Sequence, residues 1–503
     1  MTTLADVRLL LALPLIGALC VMLAPTRWSR AIGGVVAGLA LLVAVAVALA
    51  EPGGLVVHIP WVDTFGLGLS LGVGGLTVPG LLVTCLIGQV AALATGGSRG
   101  SIAGGLVLQG GVLAALLARD LALLVACHGL LAPLVVILLA GGTHPDRQRA
   151  ALGAGFYLAL GTCLLALAAG ALAVAQHDAS GGQWSLELAA LAELMLPARM
   201  EAAVGVALVL AGSLTIGLWP LHGWLTTAMA AARPGTRLLL AGPLRWLGVD
   251  LLLRLWLPLT PAAAAQHAPA LGWIAVLGAV YGALVARAEP DRRRAVVLAS
   301  LVPAGLIVLG LAGQHHEGLL AAVMLALALT LGGAAAVYAH DHAESHDLVR
   351  RFAPLGLLPV PGFVGLAGAA LVVLGTARFA GLTLGAHAIW LALFAGGAAL
   401  LSLRALSGWT GPSGHGETDR SPGRLALLGF VVLLAPVVLG GVWPARVLGP
   451  SHTAARVWVE TTARRRCERA VRTIEAPIRA AAKSSEACGQ PLRTLEQLQG
   501  VGP

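Results

Sequence analysis

The stretch AGSLTIGLWPLHGWL, residues 211–225, decides how this chain is read, because it interrupts a long apolar run with Pro220 and then His222. A proline inside a helix removes one backbone donor and crowds the preceding turn, so the helix bends or unwinds there. What that interruption means depends on the solvent around it. Of 503 residues, 58% are hydrophobic and only 11% are charged. A soluble chain of this length would not keep its surface hydrated with so little charge. Apolar runs of about 18 residues or more, each long enough to cross a hydrocarbon core, recur from end to end. The chain reads as an all-α polytopic membrane protein.

Fourteen spans are expected, near 9–25, 32–50, 78–95, 101–117, 119–140, 151–175, 201–230, 237–257, 269–286, 295–312, 317–338, 353–377, 386–408 and 423–441. The first is not followed by a small-residue cleavage site and reads as an ordinary span rather than a signal peptide. Between the sixth and seventh lies GGQWSLELAALAELMLPARM, residues 181–200, whose Glu187, Glu193 and Arg199 suit the membrane surface. Arginines set the expected orientation. Sixteen fall in loops after odd-numbered spans, among them Arg99, Arg147, Arg233 and Arg292 to Arg294. Four (Arg8, Arg119, Arg199 and Arg378) fall on the other side, leaving out the tail. Both termini are therefore expected outside the cytoplasm of a bacterial-type inner membrane. The net charge of +9 follows from this bias and a basic tail, and no nucleic-acid partner is expected. Cys20, Cys85, Cys127 and Cys163 lie in spans without metal-ligand spacing, so no metal is expected.

The interruption at Pro220 has a counterpart. APLGLLPVPGFVGLAGAALVVLG, residues 353–375, places Pro354, Pro359, Pro361 and Gly362 inside the twelfth span. Backbone groups freed in hydrocarbon cost several kcal/mol each unless protein or water satisfies them. Either break alone reads plainly as a packing kink. A pair five spans apart matches two inverted repeats with discontinuous helices near 220 and 361, an architecture of transport machinery.

These residues carry a resemblance. LWPLHGWL (218–225), RLLLAGPLRWLGVDLLLRL (237–255), VYGALVARAEPDRRRAVVLAS (280–300), PVPGFVGLAGAALVVLG (359–375) and RDLALLVACHGLLAP (119–133) resemble, in order and spacing, helices seven, eight, nine to ten, twelve and five of one family. It is the antiporter-like membrane subunits of respiratory complex I, M-type above all, with those of Mrp antiporters and membrane-bound hydrogenases. The resemblance covers about residues 60–410. It implies a row of protonatable residues through the membrane centre: a glutamate in helix five, lysines in seven and eight, a histidine in ten, and a lysine or glutamate in twelve. Carried over by position, the glutamate becomes His128, or Gly129 with a one-residue gap. The two lysines become Thr215 and Trp246, the latter beside Arg245; the histidine becomes Pro303 and the last carboxylate Ala369. The only lysine of the whole chain is Lys483, in the tail, so no gap hides a membrane lysine.

What remains for proton chemistry is small. Histidine titrates near neutral pH, whereas arginine does not. His128 and His222 are the histidines expected near the centre of the spans. His222 also suits capping of the backbone freed at Pro220. Asp250, the one carboxylate expected to be buried, stands one helical turn before Arg254, spacing that suits a closed ion pair. The candidate ion path is thus His128, Thr215, His222, Arg245, Trp246, Asp250, Pro303 and Ala369, with helix breaks at Pro220, Pro361 and Gly362.

The expectation is a membrane subunit of a complex I-like proton-translocating complex whose own path is degenerate and whose role is structural. Two alternatives stand beside it: a working cation/proton transporter on a rewired histidine path, and the membrane partner of an inorganic-carbon uptake complex. No nucleotide-, quinone- or cluster-binding motif appears, so no cofactor and no catalytic site of its own are expected. The partners implied are other membrane subunits and the lipid bilayer. Residues 1–100 hold the first three spans, 101–410 the antiporter-like core and 411–442 the last span. Residues 443–503 form a basic tail in which Ala463, Cys467, Ala470, Val471 and Ile474 keep helical spacing among arginines, suited to holding a neighbouring subunit.

Overall fold

The computed structural model describes residues 6–50, 56–62, 67–94, 98–141, 145–341, 362–379, 384–407, 428–436 and most of 451–464. Pro354, Pro359 and Pro361 lie outside the described residues, as does the tail beyond Arg464, including Cys467, Ala470, Val471 and Ile474.

The first helices are α1 (Val7–Leu23), α2 (Thr26–Leu49), α3 (Val78–Ala94), α4 (Arg99–Leu117), α5 (Leu121–Ala140) and α6 (Pro145–Ala179). Three of them, α1, α4 and α5, start where a side chain accepts from the orphan N–H groups of the first turn. Asp6 accepts from Arg8, Ser98 from Ser101, and Asp120 from Ala122 and Leu123 at 2.8 and 3.2 Å. A short α7 (Leu188–Ala192) precedes α8 (Ala198–Ile216), α9 (Gly223–Ala231), α10 (Pro234–Ala241) and α11 (Pro243–Leu251). A π-helical turn, Leu252–Trp256, follows α11 and runs into α12 (Leu257–Leu259). Then come α13 (Pro261–Ala288), α14 (Arg292–Ala299), α15 (Leu301–Ala312) and α16 (His316–Leu327). A second π turn, Ala328–Gly332, joins α16 to α17 (Gly333–Asp341), and α18 (Gly362–Phe379) and α19 (His387–Ser407) follow, with further helical residues at 428–436 and in 451–464. Among the described residues, eight helices are long and apolar enough to cross a membrane.

One feature falls between the expected spans. The hairpin β1 (Val56–Val62) and β2 (Leu67–Gly72) pairs antiparallel, with Val57 opposite Leu71 and Ile59 opposite Leu69. A bridge from Leu71 to Ala118 ties it to the α4–α5 junction, which a second bridge, from Asp120 to Glu187, joins to the segment before α7.

The interior is graded. From Gly318 to Ala339 every residue is buried, whereas α2 and α6 show Leu49 and Leu152 outward. At the centre α8 packs on α11 through facing glycines. A Cβ on Gly248 would stand 2.7 Å from the Ile216 nitrogen and 2.9 Å from the Gly212 carbonyl oxygen. Small residues let the two backbones approach, as is common between membrane helices. That close approach positions the polar groups described next.

Candidate functional site

α8 stops before the proline. Gly217 takes the left-handed conformation, with φ 71° and ψ 49°, and Leu218 N–H donates to the Ser213 carbonyl at 2.9 Å while Gly217 N–H reaches Leu214. This is a Schellman ending, which glycine permits at no steric cost. Side chains donate to carbonyls of the last turn as well. The Trp224 indole donates to Leu214 at 3.0 Å, and Arg245 Nε donates to Ile216 at 2.9 Å. The Trp219–Pro220 peptide is cis, and α9 starts at Gly223 with Leu225 N–H on the His222 carbonyl. The exposed carbonyls that hydrocarbon would penalise are met inside the protein.

His128 of α5 is fully buried, and both ring nitrogens have partners. Nδ1 lies 2.8 Å from Thr162 Oγ1 of α6, and Nε2 lies 3.0 Å from Thr215 Oγ1 of α8. Each hydroxyl also sits within reach of its own helix: Thr162 donates to Leu158 at 3.0 Å and Thr215 to Ala211 at 2.9 Å. A neutral imidazole has one N–H and one lone pair. One hydroxyl therefore keeps its helix bond and accepts from the ring, while the other turns its proton to the ring. A charged imidazole would let both hydroxyls keep their helix bonds, but it would put a charge in the interior with only hydroxyls against it.

Two arginines occupy the next stretch of the row. Arg245 is 2% exposed; besides Ile216 it donates to Ser300 Oγ at 2.7 Å, and its Nη2 has no partner. No carboxylate pairs with it among the described residues. Its countercharge is the negative end of the α8 dipole. Arg254 closes on Asp250 at 2.7 Å through Nε and caps α4 by donating to the Ala115 and Ala118 carbonyls at 2.9 and 2.8 Å. The π turn that carries Arg254 was not legible in the sequence.

The remaining candidates divide. Trp246, Pro303 and Ala369 are buried and offer nothing that holds a proton. His222 stands at the edge of the row: it makes no side-chain bond to the first turn of α9, and its ring packs edge-on against Tyr281 at 5.6 Å. Gly362 opens α18. The expectation that Asp250 is the one buried carboxylate is corrected. Asp120 and Glu201 are buried too and the Asp341 side chain is only 6% exposed, each at a helix end where it finds donors. Glu201 accepts from Ala262 and Ala263 at the start of α13, and Asp341 pairs with Arg237. Burial at a helix end depends on which helices meet there, and sequence position alone does not give it. The sequence reading also missed Trp224, Thr162 and Ser300, whose partners lie on other helices.

Residues 118–347 match the family described as NADH:quinone oxidoreductase/Mrp antiporter, TM. Over that stretch, somewhat under half of its length, the chain is similar to this antiporter-like family. NAD(P)H-quinone oxidoreductase chain 4 1 of Synechococcus elongatus is 30% identical over 285 residues, which are 56% of this chain and 52% of that protein. NADH-quinone oxidoreductase subunit M of Escherichia coli is 28% identical over 262 residues, covering 50% of this chain and 51% of the relative. The chain thus spans about half the length of these relatives. A chain of respiratory complex I from Thermus thermophilus with bound NADH shares the fold, with a TM-score of 0.77 at 23% identity over 90% of this chain and 99% of that one. This antiporter-like protein is therefore a multi-pass, subunit M-like membrane chain. The matched region holds most of the buried row, from His128 through Thr215, Arg245 and Asp250 to Ser300 and Pro303. The positions that the resemblance assigns to the helix-five glutamate and the first lysine are in contact here, as His128 and Thr215.

Proposed function

We propose that this chain is a membrane subunit of a complex I-like, NADH-quinone oxidoreductase-type proton-translocating complex, and that its own proton path is degenerate. One observation carries the reading. At four positions where the resemblance implies protonatable groups, the row has Thr215, Trp246, Pro303 and Ala369, and the chain has no lysine but Lys483. A relay needs closely spaced groups that gain and lose a proton. A hydroxyl, an indole, a proline ring and a methyl group do not supply them. Arg245 brings charge to the row but holds its proton too tightly to pass it on.

The role left to the chain is structural: it holds its place in the membrane arm and excludes water from the row. Fourteen crossings, a break near 361 matching the one near 220, and both termini outside the cytoplasm of an inner membrane complete the reading. Support comes from the arginine bias, with Arg147, Arg233 and Arg293 gathered around one cavity. Single cysteines at positions 147 and 292 should label from the cytoplasm; labelling of either from the outside contradicts the orientation. Purification of the tagged full chain from native membranes in mild detergent should bring the other membrane subunits and a quinone-reducing activity. Recovery as a solitary subunit contradicts membership of a complex.

A rewired path is the second reading, and the two hydrogen bonds of His128 favour it. It requires the ring to charge in the interior, against a hydroxyl on each side and with Arg245 one residue beyond Thr215 along α8 through the Ile216 carbonyl. Unpaired buried charge is costly, and like charge adds to the cost.

A further inference from the structure

Where the arginine-bearing loops meet, a cavity of about 410 Å³ opens between the start of α6, the end of α9, the start of α10 and α14. Arg147, Arg233, Arg237 and Arg293 line it, with Asp146 the one acid on its wall. Asp341, behind them, pairs with Arg237 and lies 3.7 Å from Arg293. Four guanidinium groups face Asp146 and Asp341, and Asp291 nearby pairs with a fifth arginine, Arg294, so the cavity keeps an excess of positive charge.

The wall is built rather than loosely gathered. Arg237 is buried and spends Nε and Nη2 on the Met229 and Ala232 carbonyls, the last turn of α9. Arg233 spends Nη1 on Ser98 and Ser101 and Nη2 on the Gly141 carbonyl, tying three loops together. Arg147 gives one nitrogen to the same carbonyl at 3.2 Å, and Arg293 Nε is buried without a hydrogen-bond partner. Two anchored arginines hold the frame, and two others keep donors for something else. α10 begins on this wall with Pro234 in its first turn, so the positive end of its dipole faces the same space.

The helix that carries Arg147 leaves the cavity with an apolar outer face: farther along α6, Leu152, Phe156 and Leu160 are 70%, 65% and 40% exposed. Positive charge at the end of a membrane bundle beside an open apolar flank suits a ligand with an anionic head and hydrocarbon tails. We propose that this cavity binds the phosphodiester headgroup of an anionic phospholipid, with Arg147 and Arg293 as the donors and Arg233 and Arg237 as the frame. Basic pockets between membrane helices recognise lipid headgroups by this chemistry, at about 1 kcal/mol per arginine near the surface.

The test uses the full chain purified in detergent and probed by native mass spectrometry with phosphatidylglycerol, phosphatidylcholine and inorganic phosphate. Phosphatidylglycerol should be retained at least about ten-fold over phosphatidylcholine, and in Arg147→Gln/Arg293→Gln its retention should fall about 25-fold, roughly five-fold per arginine. Arg119→Gln, on a loop away from the cavity, should leave it unchanged. Equal retention of the two lipids overturns the proposal, and so does an unaffected double variant. Displacement of phosphatidylglycerol by millimolar phosphate overturns the lipid assignment in favour of a free anion. If the double variant is unstable, the wild-type chain still decides: raising salt should release phosphatidylglycerol and not phosphatidylcholine, because salt screens the headgroup contact alone. Salt-independent release of both contradicts it.

Discussion

Arg245 and Arg254 lie on consecutive stretches of one interrupted helix, yet their charges are met in different ways. Arg254 has a carboxylate, Asp250, and spends its other nitrogens on the last carbonyls of α4. Arg245 has no carboxylate; it has the end of α8, the Ser300 hydroxyl and one nitrogen without a partner. The first is a closed pair that contributes no net charge. The second leaves a fixed cation in the protein interior, next to the position that the resemblance assigns to a lysine. A lysine there would be able to give up its proton. An arginine keeps it, and what it does well is satisfy backbone. Arg99 does the same for the Met22 and Ala24 carbonyls at the end of α1, and Arg237 for the end of α9. In this chain arginine serves helix ends, and on the proposed reading proton carriage has been given up.

The largest effect should come from breaking the closed pair from one side. Asp250→Ala leaves the Arg254 guanidinium buried without its partner, a loss of about 3–5 kcal/mol. Thermal unfolding in detergent should show a much lower midpoint, and Asp250→Ala/Arg254→Met should recover part of it. A single variant as stable as wild type would mean that water reaches the pair. Arg245→Leu should cost less, about 1–3 kcal/mol for the uncapped Ile216 carbonyl, because it removes the cation together with its need for a counterion. If Arg245→Leu proves the worse of the two, the α8 dipole is the stronger counterion and the comparison reverses. Arg245→Lys should fall between wild type and Leu, since one ammonium does not reproduce the fork across Ile216 and Ser300.

The same comparison explains what the sequence made legible. Lipid imposes a single rule, about 20 apolar residues per crossing, and α1 to α6 lie within the apolar runs or overlap them closely. Asp250 and Arg254 were legible as a pair because both partners sit on one helix at i and i+4. Arg245 and Ile216 are 29 residues apart on helices brought together at Gly212 and Gly248, so the cap was not. Nor were the π turns, which shift register without a local sequence signal. The β1–β2 hairpin escaped notice because VVHIPWV and LGLSLG are short and lie between two apolar runs that dominate the pattern. The contact of His128 with Thr215 was reachable only through the resemblance, which put both at positions of one row.

The smallest effect should come from the threonines. Thr162→Val and Thr215→Val each remove one hydroxyl from His128 and should cost about 1 kcal/mol, read from the unfolding midpoint. Equal losses fit a ring that uses both partners. A loss confined to one variant identifies the hydroxyl that takes the ring proton.

The central claim, that this row passes no proton of its own, is met most directly by reconstituting the purified chain in liposomes with an imposed pH gradient. The gradient should decay no faster than in vesicles without protein, and His128→Ala should leave the rate unchanged. Rapid decay in the wild type that disappears in His128→Ala would contradict the claim and establish a working path through His128.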